Sequence, residues 1–327
     1  MSAIFATLPG HEVPVSEISA RLARLWEENA TAGLPAPDRA GGKASQINLV
    51  LHFGFGTTPA DAEIQFRNTT RFAARYPSRV VVLCPHQPEA PIHEMRAKIY
   101  GECFLGRTRH DTRCCEFVLL SYPFAARQYL ESQVSICLTP DLPLYYWAHH
   151  FIATHHMADY RYLLNQAQRF LFDSGASPAD AIGYPWPKPE TVRDLALARL
   201  LPVRQSLGQF LARYTPAQLA GNLGHVTLAH SPAYRAEGAA LLRWISARLH
   251  ACGARPTQPA EIVPAIPPSD LCLTLHYTDA ATTFQWCGSL ASGEACLVAN
   301  YGGQRTSQTI PLQLLPPEMA LADAMFF

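Results

Sequence analysis

The sequence predicts an α/β protein with a mixed, mostly parallel sheet and flanking helices, joined to a smaller C-terminal α+β domain with an antiparallel meander. Three observations carry this prediction. Apolar runs of strand length alternate with amphipathic helical stretches between residues 47 and 172. Two strand-like runs, 96–104 and 114–122, follow one another with no helix between them, which mixes the strand directions. From residue 271 onward the chain turns to short runs rich in Thr and aromatic residues, separated by turn residues.

In chain order, residues 16–29 place Ile18, Leu22, Leu25 and Trp26 at helical spacing and end before a Gly/Pro-rich linker at 32–42. Residues 47–53 read as a buried strand, 62–74 as an amphipathic helix and 79–83 as a second buried strand, together a βαβ unit. The runs 96–104 and 114–122 then form an antiparallel hairpin on the sheet edge. A helix over 126–136, a strand over 142–147, a helix over 157–168 and a strand over 169–172 complete the alternation. Residues 177–190 contain too many prolines for regular structure and lead into a long amphipathic helix from 191, interrupted by Pro202. The expected division is an N-terminal helix and linker over 1–46, an α/β domain over 47–214 and an α+β domain over 215–327. In the last of these, a strand at 226–229 precedes a helix over 233–250 with Leu241, Trp244, Ile245 and Leu249 on one face. The meander follows as 271–277, 282–290, 295–300 and 306–312.

Composition narrows the function. Nearly half of the 327 residues are apolar, 26 basic residues balance 26 acidic ones and only 16 % are charged, so no field favours nucleic acid or an anionic membrane. No stretch stays apolar long enough for a membrane span, and the expected location is the cytoplasm. Nine scattered cysteines favour reduced thiols over a disulfide framework. Cys114 and Cys115, adjacent in a strand, point to opposite faces. Cys287 and Cys296 flank a turn on neighbouring strands and are the candidate redox pair.

The segment from Cys137 to His150 carries the most information. Pro140 and Pro143 make the entry to a strand rigid, with Asp141 between them near the surface. Tyr145, Tyr146 and Trp147 are consecutive, so in a strand they cannot share one face. Just beyond lie His149, His150, His155 and His156, whose imidazoles meet at a metal only if the intervening loop turns sharply, with Asp159 as the nearest carboxylate. Solvent-facing or capping histidines are the favoured reading, and no metal or other cofactor is expected. After the first strand, Gly54-Phe-Gly56 lacks the third glycine of a dinucleotide fingerprint. No Walker loop, Gly-x-Ser-x-Gly elbow or His-Glu-x-x-His pattern occurs, so no catalytic residue is assigned.

Seven short strings in the same order resemble the OpcA family of glucose-6-phosphate dehydrogenase assembly proteins. Ile47-Asn-Leu-Val50 looks like the family's first strand, and Arg75-Tyr-Pro-Ser-Arg-Val80 resembles its His-Pro-Ser-Arg-Val turn with Tyr76 in place of the histidine. Cys115-Glu116, Leu138-Thr-Pro-Asp-Leu-Pro143 with Trp147, and Phe172-Asp-Ser174 are similar to further family segments. Arg193-Asp-Leu-Ala196 with Arg199-Leu-Leu-Pro202-Val-Arg204 resembles another, with Leu197 and Val203 where the family has tryptophans, and Leu241-Leu-Arg-Trp244 resembles the family's C-terminal helix.

The resemblance implies a non-catalytic partner that binds glucose-6-phosphate dehydrogenase and promotes its active oligomer, supporting the oxidative pentose phosphate pathway and NADPH supply. The expected docking surface combines Asp141, Tyr145, Tyr146 and Trp147 with Arg199 and Arg204, as aromatic anchors and guanidiniums suit interfaces. Arg75 and Arg79 beside Ser78 are candidates for a phosphate. The competing expectation is a sugar-phosphate hydrolase or isomerase that uses the histidines from His149 to His156 as acid and base.

Overall fold

The computed structural model describes residues 2–31, 45–88, 94–105, 112–265, 267 and 269–327; the linker expected at 32–42 lies outside them. The chain divides into two compact units, one of Met1–Arg193 with Ala324–Phe327 and one of Asp194–Asp323. The second unit therefore begins at 194 rather than at 215. The physical reason is the core: Leu200, Val203, Leu207, Phe210 and Leu211 pack with Leu241, Ile245, Leu273 and Trp286, so the helices that carry them belong with the later sheet.

The first unit is an eight-stranded sheet. Its elements are α1 (Ala3–Thr7), β1 (His11–Val13), α2 (Ile18–Thr31), β2 (Ile47–Phe53), α3 (Pro59–Ala73), β3 (Ser78–Pro85), β4 (Arg96–Leu105), β5 (Thr112–Tyr122), α4 (Leu130–Cys137), β6 (Leu144–His149), α5 (Arg161–Gln166), β7 (Arg169–Phe172) and β8 (Val192–Asp194). The strands lie in the order β1-β4-β5-β3-β2-β6-β7-β8. Strands β5, β3, β2, β6 and β7 run parallel, while β4 is antiparallel to β5 and β1 to β4. The predicted hairpin is thus present, but β1 covers its outer strand. Every residue of β2 and of β6 is buried, as expected for parallel strands with helices on both faces.

Alternation along these strands assigns the two faces. Val50, Val81, Leu83, Val118, Leu120 and Tyr146 share a core with Leu130 and Val134 of α4 and with Leu163 and Leu164 of α5. Phe66 of α3 packs against Phe117 on the other face. The path β2-α3-β3 leaves β2 on one side, and β6 returns to its other side. The order of the sheet therefore reverses between β2 and β6, and in such sheets ligands bind outside the carboxyl ends of the strands at this point.

The helix expected over 126–136 begins as a 3-10 turn, Phe124–Tyr129, before α4. The helix expected over 157–168 likewise opens with the 3-10 turn Thr154–Tyr160 before α5. The long helix expected from 191 is broken into β8 and two shorter helices, with Pro202 in the first turn of the second, where its missing amide is not needed.

The second unit contains α6 (Leu195–Arg199), α7 (Leu201–Leu211), α8 (Pro216–Ala220), β9 (Leu223–His230), α9 (Arg235–Ala251), β10 (Glu261–Pro264), β11 (Leu271–Tyr277), β12 (Thr283–Ser289), β13 (Glu294–Tyr301), β14 (Gln304–Pro311) and α10 (Pro317–Phe326), whose last turn is counted with the first unit. Its six strands run in the order β10-β9-β11-β12-β13-β14, and β11 to β14 form the predicted meander. One face of this sheet packs Leu271, Leu273, Phe284, Trp286 and Leu297 against Leu241, Ile245 and Leu249 of α9. Val203 is buried and Leu197 packs against this core, so the two positions where the resemblance expects tryptophan are held by aliphatic core contacts.

Candidate functional site

The loop that leads into β6 is built by one buried side chain. Asn48, 2 % exposed in β2, donates its amide to the carbonyls of Thr139 (2.9 Å) and Leu142 (3.2 Å) and accepts from the Thr139 amide (2.9 Å). These three bonds clamp both ends of Thr-Pro-Asp-Leu. Asp141 at the tip is exposed and left-handed (φ 63°), a conformation that Asp tolerates better than most residues. The carboxylate is thus held outward by a rigid turn. The rings that follow are not displayed with it. Tyr145, Tyr146 and Trp147 are all buried in β6, because a central parallel strand is covered on both faces. Tyr146 enters the α4 side, and Tyr145 packs its ring 5.8 Å from Phe326. Their expected role as surface anchors is corrected to core packing.

The expected phosphate group is likewise redirected. Ser78 is fully buried and its hydroxyl bonds the Tyr76 carbonyl. Arg79 pairs with Glu116 and donates to the Cys137 carbonyl at 3.1 Å. Glu116 in turn accepts from the Trp26 indole at 2.6 Å. A carboxylate already occupies the guanidinium and would repel a phosphate beside it. Arg75 is exposed just after α3.

Two histidine clusters lie at the carboxyl ends of the parallel strands, on opposite faces of the sheet. The first is enclosed. His52 of β2 is bonded through Nδ1 to the Tyr146 hydroxyl (2.8 Å) and through Nε2 to the Tyr122 hydroxyl (3.0 Å), and Tyr122 meets the Tyr160 hydroxyl at 2.8 Å. Burial lowers the His52 pKa to about 3, which keeps the ring neutral, and burial raises the Tyr122 and Tyr146 phenols well above their ordinary value. A neutral imidazole has one donor and one acceptor nitrogen, so the two tyrosines complete it in opposite senses. The adjoining cavity, lined by Phe55, Phe124, Ile152 and Tyr160 among others, holds about 30 Å³, room for about one water. No sugar phosphate fits there.

The second cluster is open. His149 ends β6 and His150 follows it in the left-handed region (φ 53°), at a conformational cost of about 1–2 kcal/mol. Consecutive strand residues face opposite ways, and this turn brings both imidazoles to one carboxylate. Asp61 Oδ2 lies 2.7 Å from His149 Nε2 and 3.5 Å from His150 Nδ1. Thr58 caps α3 by accepting the Asp61 amide (3.2 Å), and Pro59 starts the helix, which fixes Asp61 in the first turn. The hydrogen bond from His149 holds the Asp61 carboxyl well below the usual carboxylate range; burial opposes this, while Gln65 and His150 add to it. His149 is almost wholly buried, whereas Asp61 and His150 side chains remain 26 % and 41 % exposed.

Gly54 and Gly56 serve this cluster. The Gly54 amide bonds the His149 carbonyl (2.7 Å) and the Gly56 amide bonds the His150 carbonyl (3.2 Å). A Cβ on Gly56 would stand 2.6 Å from His150 Cδ2, and one on Gly54 would stand 2.5 Å from the His150 carbonyl oxygen. The glycine loop after the first strand thus cradles two histidines. The other two expected histidines lie apart: the rings of His155 and His156 meet at 4.2 Å, tilted by 40°, and Asp159 pairs with Arg127. Asp61 was not among the expected site residues, although Thr58-Pro59 marks the helix start that places it.

In the second unit, Arg199 donates from Nε (2.9 Å) and Nη2 (2.7 Å) to the buried Glu237, and Arg204 pairs with Asp323 at 3.2 Å. Both guanidiniums, expected as partners for an interface pair, are paired with carboxylates within the unit. Cys287 stands opposite Cys296 in register, as expected, but it also stands opposite Cys272 and is bonded to Cys272, leaving Cys296 free and exposed. In the first unit, Cys114 is bonded to Cys103 across the β4–β5 hairpin, and Cys115 is a buried free thiol. The expectation of thiols throughout is thus corrected at four positions, because ladder register places these pairs opposite each other.

Among the described residues no helix is long and apolar enough to cross a membrane. No curated protein matches the chain. A family model described as glucose-6-phosphate dehydrogenase subunit N-terminal domain matches residues 69–183, a stretch that runs from the end of α3 through β3, β5, β6 and β7 and includes the Asp141 turn and both histidines His149 and His150. Over this stretch, about a third of the chain, the sequence is similar to the OpcA family of glucose-6-phosphate dehydrogenase assembly proteins.

Proposed function

We propose that this chain is a non-catalytic, cytoplasmic assembly factor that binds glucose-6-phosphate dehydrogenase and favours its active oligomer, supporting NADPH supply at the entry to the oxidative pentose phosphate pathway. The observation that carries the reading is the family match over residues 69–183. An activator must bind the active form more tightly than the inactive one, since equal affinity for both shifts nothing. It therefore needs rigid groups at fixed positions, and the Asn48-clamped turn supplies one: an exposed carboxylate on a backbone that has little left to lose on binding. We assign Asp141 as a docking contact for a basic patch on the dehydrogenase.

Asp141→Lys tests this contact. Its side chain is exposed, so the fold is retained at a small cost for lysine in the left-handed turn, and affinity for the dehydrogenase, read as the concentration that half-saturates complex formation, weakens at least tenfold with a steeper loss at low salt. Unchanged affinity in Asp141→Lys removes Asp141 from the interface. Failure of the native chain to form any complex removes the function.

A further inference from the structure

We infer that Asp61, His149 and His150 form a binding site for a divalent first-row transition metal ion such as Zn²⁺. Two imidazoles and one carboxylate are the donor set that such ions take, and three protein ligands leave positions open to water or a further oxygen ligand. The donor atoms of the three residues all lie within 4.8 Å of one another, and His149 Nε2 and Asp61 Oδ2 are 2.7 Å apart. Donors about 2.1 Å from a common ion stand about 3–3.5 Å apart, so small rotations of Asp61 and His150 complete the shell.

Three separate features of the backbone converge on this arrangement, and a plain histidine–carboxylate hydrogen bond requires only one of them. The capped first turn of α3 delivers Asp61. The left-handed residue His150 turns a second imidazole toward a carboxylate that His149 already satisfies. The glycines at 54 and 56 bond the carbonyls of both histidines and leave the space that the His150 ring fills. Place agrees with chemistry, because the cluster lies at the reversal of strand order, outside the carboxyl ends of β2 and β6. One side of the cluster is closed by the buried His149, and the other opens to solvent through His150, which gives an ion a route in.

The test uses the full-length chain without a histidine tag, stripped with a chelator and titrated with Zn²⁺ by calorimetry and with Co²⁺ by visible absorption. The expected result is one equivalent of tight binding, a Co²⁺ spectrum of nitrogen and oxygen ligation, and a rise in Tm with Zn²⁺. His150→Ala and Asp61→Asn each weaken binding at least tenfold and abolish the rise in Tm. His276→Ala, which removes one ring of the stacked His225–His276 pair at 4.1 Å, leaves binding unchanged. Less than one equivalent bound by the native chain overturns the inference. So does native affinity in folded His150→Ala and Asp61→Asn, or loss of the site in His276→Ala.

Discussion

His52 and His149 sit one residue apart in depth on neighbouring strands, since His149 pairs with Phe53, yet their surroundings are opposite in kind. The His52 ring is buried, with both nitrogens bonded to tyrosine hydroxyls and a neutral charge state enforced by burial. His149 shares a partly exposed carboxylate with a second imidazole held in an unfavourable backbone conformation, and its Nδ1 has no hydrogen-bond partner among the described residues. The first cluster is complete and contributes to the fold. The second is over-provided with donors for a structural hydrogen bond, which is the pattern of a site that binds something.

The largest expected effect separates the clusters by stability. His52→Ala leaves a cavity, strands the buried Tyr146 hydroxyl and removes one of the two partners of Tyr122, and should destabilise the chain by about 3–5 kcal/mol in chemical denaturation. A loss below about 1 kcal/mol would mean that the tyrosine network is not a structural element. Next comes pH. The His52 pKa is lowered from its ordinary value to about 3 in the folded state, so the unfolded chain takes up the proton first. The stability that His52 confers is present in full above about pH 6.5 and falls by about 1.4 kcal/mol per pH unit from there toward pH 3. Denaturation series at several pH values should show this slope in the native chain and a shallower one in His52→Gln.

Gly56→Ala should have a smaller effect on stability, about 1–2 kcal/mol, because the closest contact of the added Cβ is the movable His150 ring at 2.6 Å, with the His150 carbonyl oxygen at 3.0 Å. Its effect on metal affinity should be larger than its effect on Tm, and the reverse order would show that the glycine serves packing alone. The smallest effect belongs to His150→Gly, which relieves the left-handed strain and removes an exposed ring. Stability without metal should stay within about 1 kcal/mol of the native chain. A large loss there would place His150 in the fold rather than in a site.

Much of the fold was legible because it is written in local periodicity. Strands 47–53, 169–172 and 271–277 appear with the expected bounds, and the hairpin and meander follow from turn spacing. Elements that depend on distant partners were not legible. Helix α1 is five residues long and is secured by Lys98, whose ammonium bonds the carbonyls of Phe5 (2.6 Å) and Leu8 (2.9 Å). Strand β10 exists through its parallel pairing with β9. At the site, the histidines and the glycine loop were visible as separate signals, but Asp61 joins them across 88 residues of sequence. Tyr145, Tyr146 and Trp147 read as display because three aromatic rings in a row suit neither a one-sided strand nor a loop; a strand covered on both faces accommodates them all.

The most direct test of the functional account is the rate of glucose-6-phosphate-dependent NADPH formation by the dehydrogenase from the same organism, with and without the purified chain, alongside the mass of the mixture. The account predicts a faster rate together with a larger complex, and no turnover by the chain alone. An unchanged rate with no complex, from a chain shown to be folded, would contradict it.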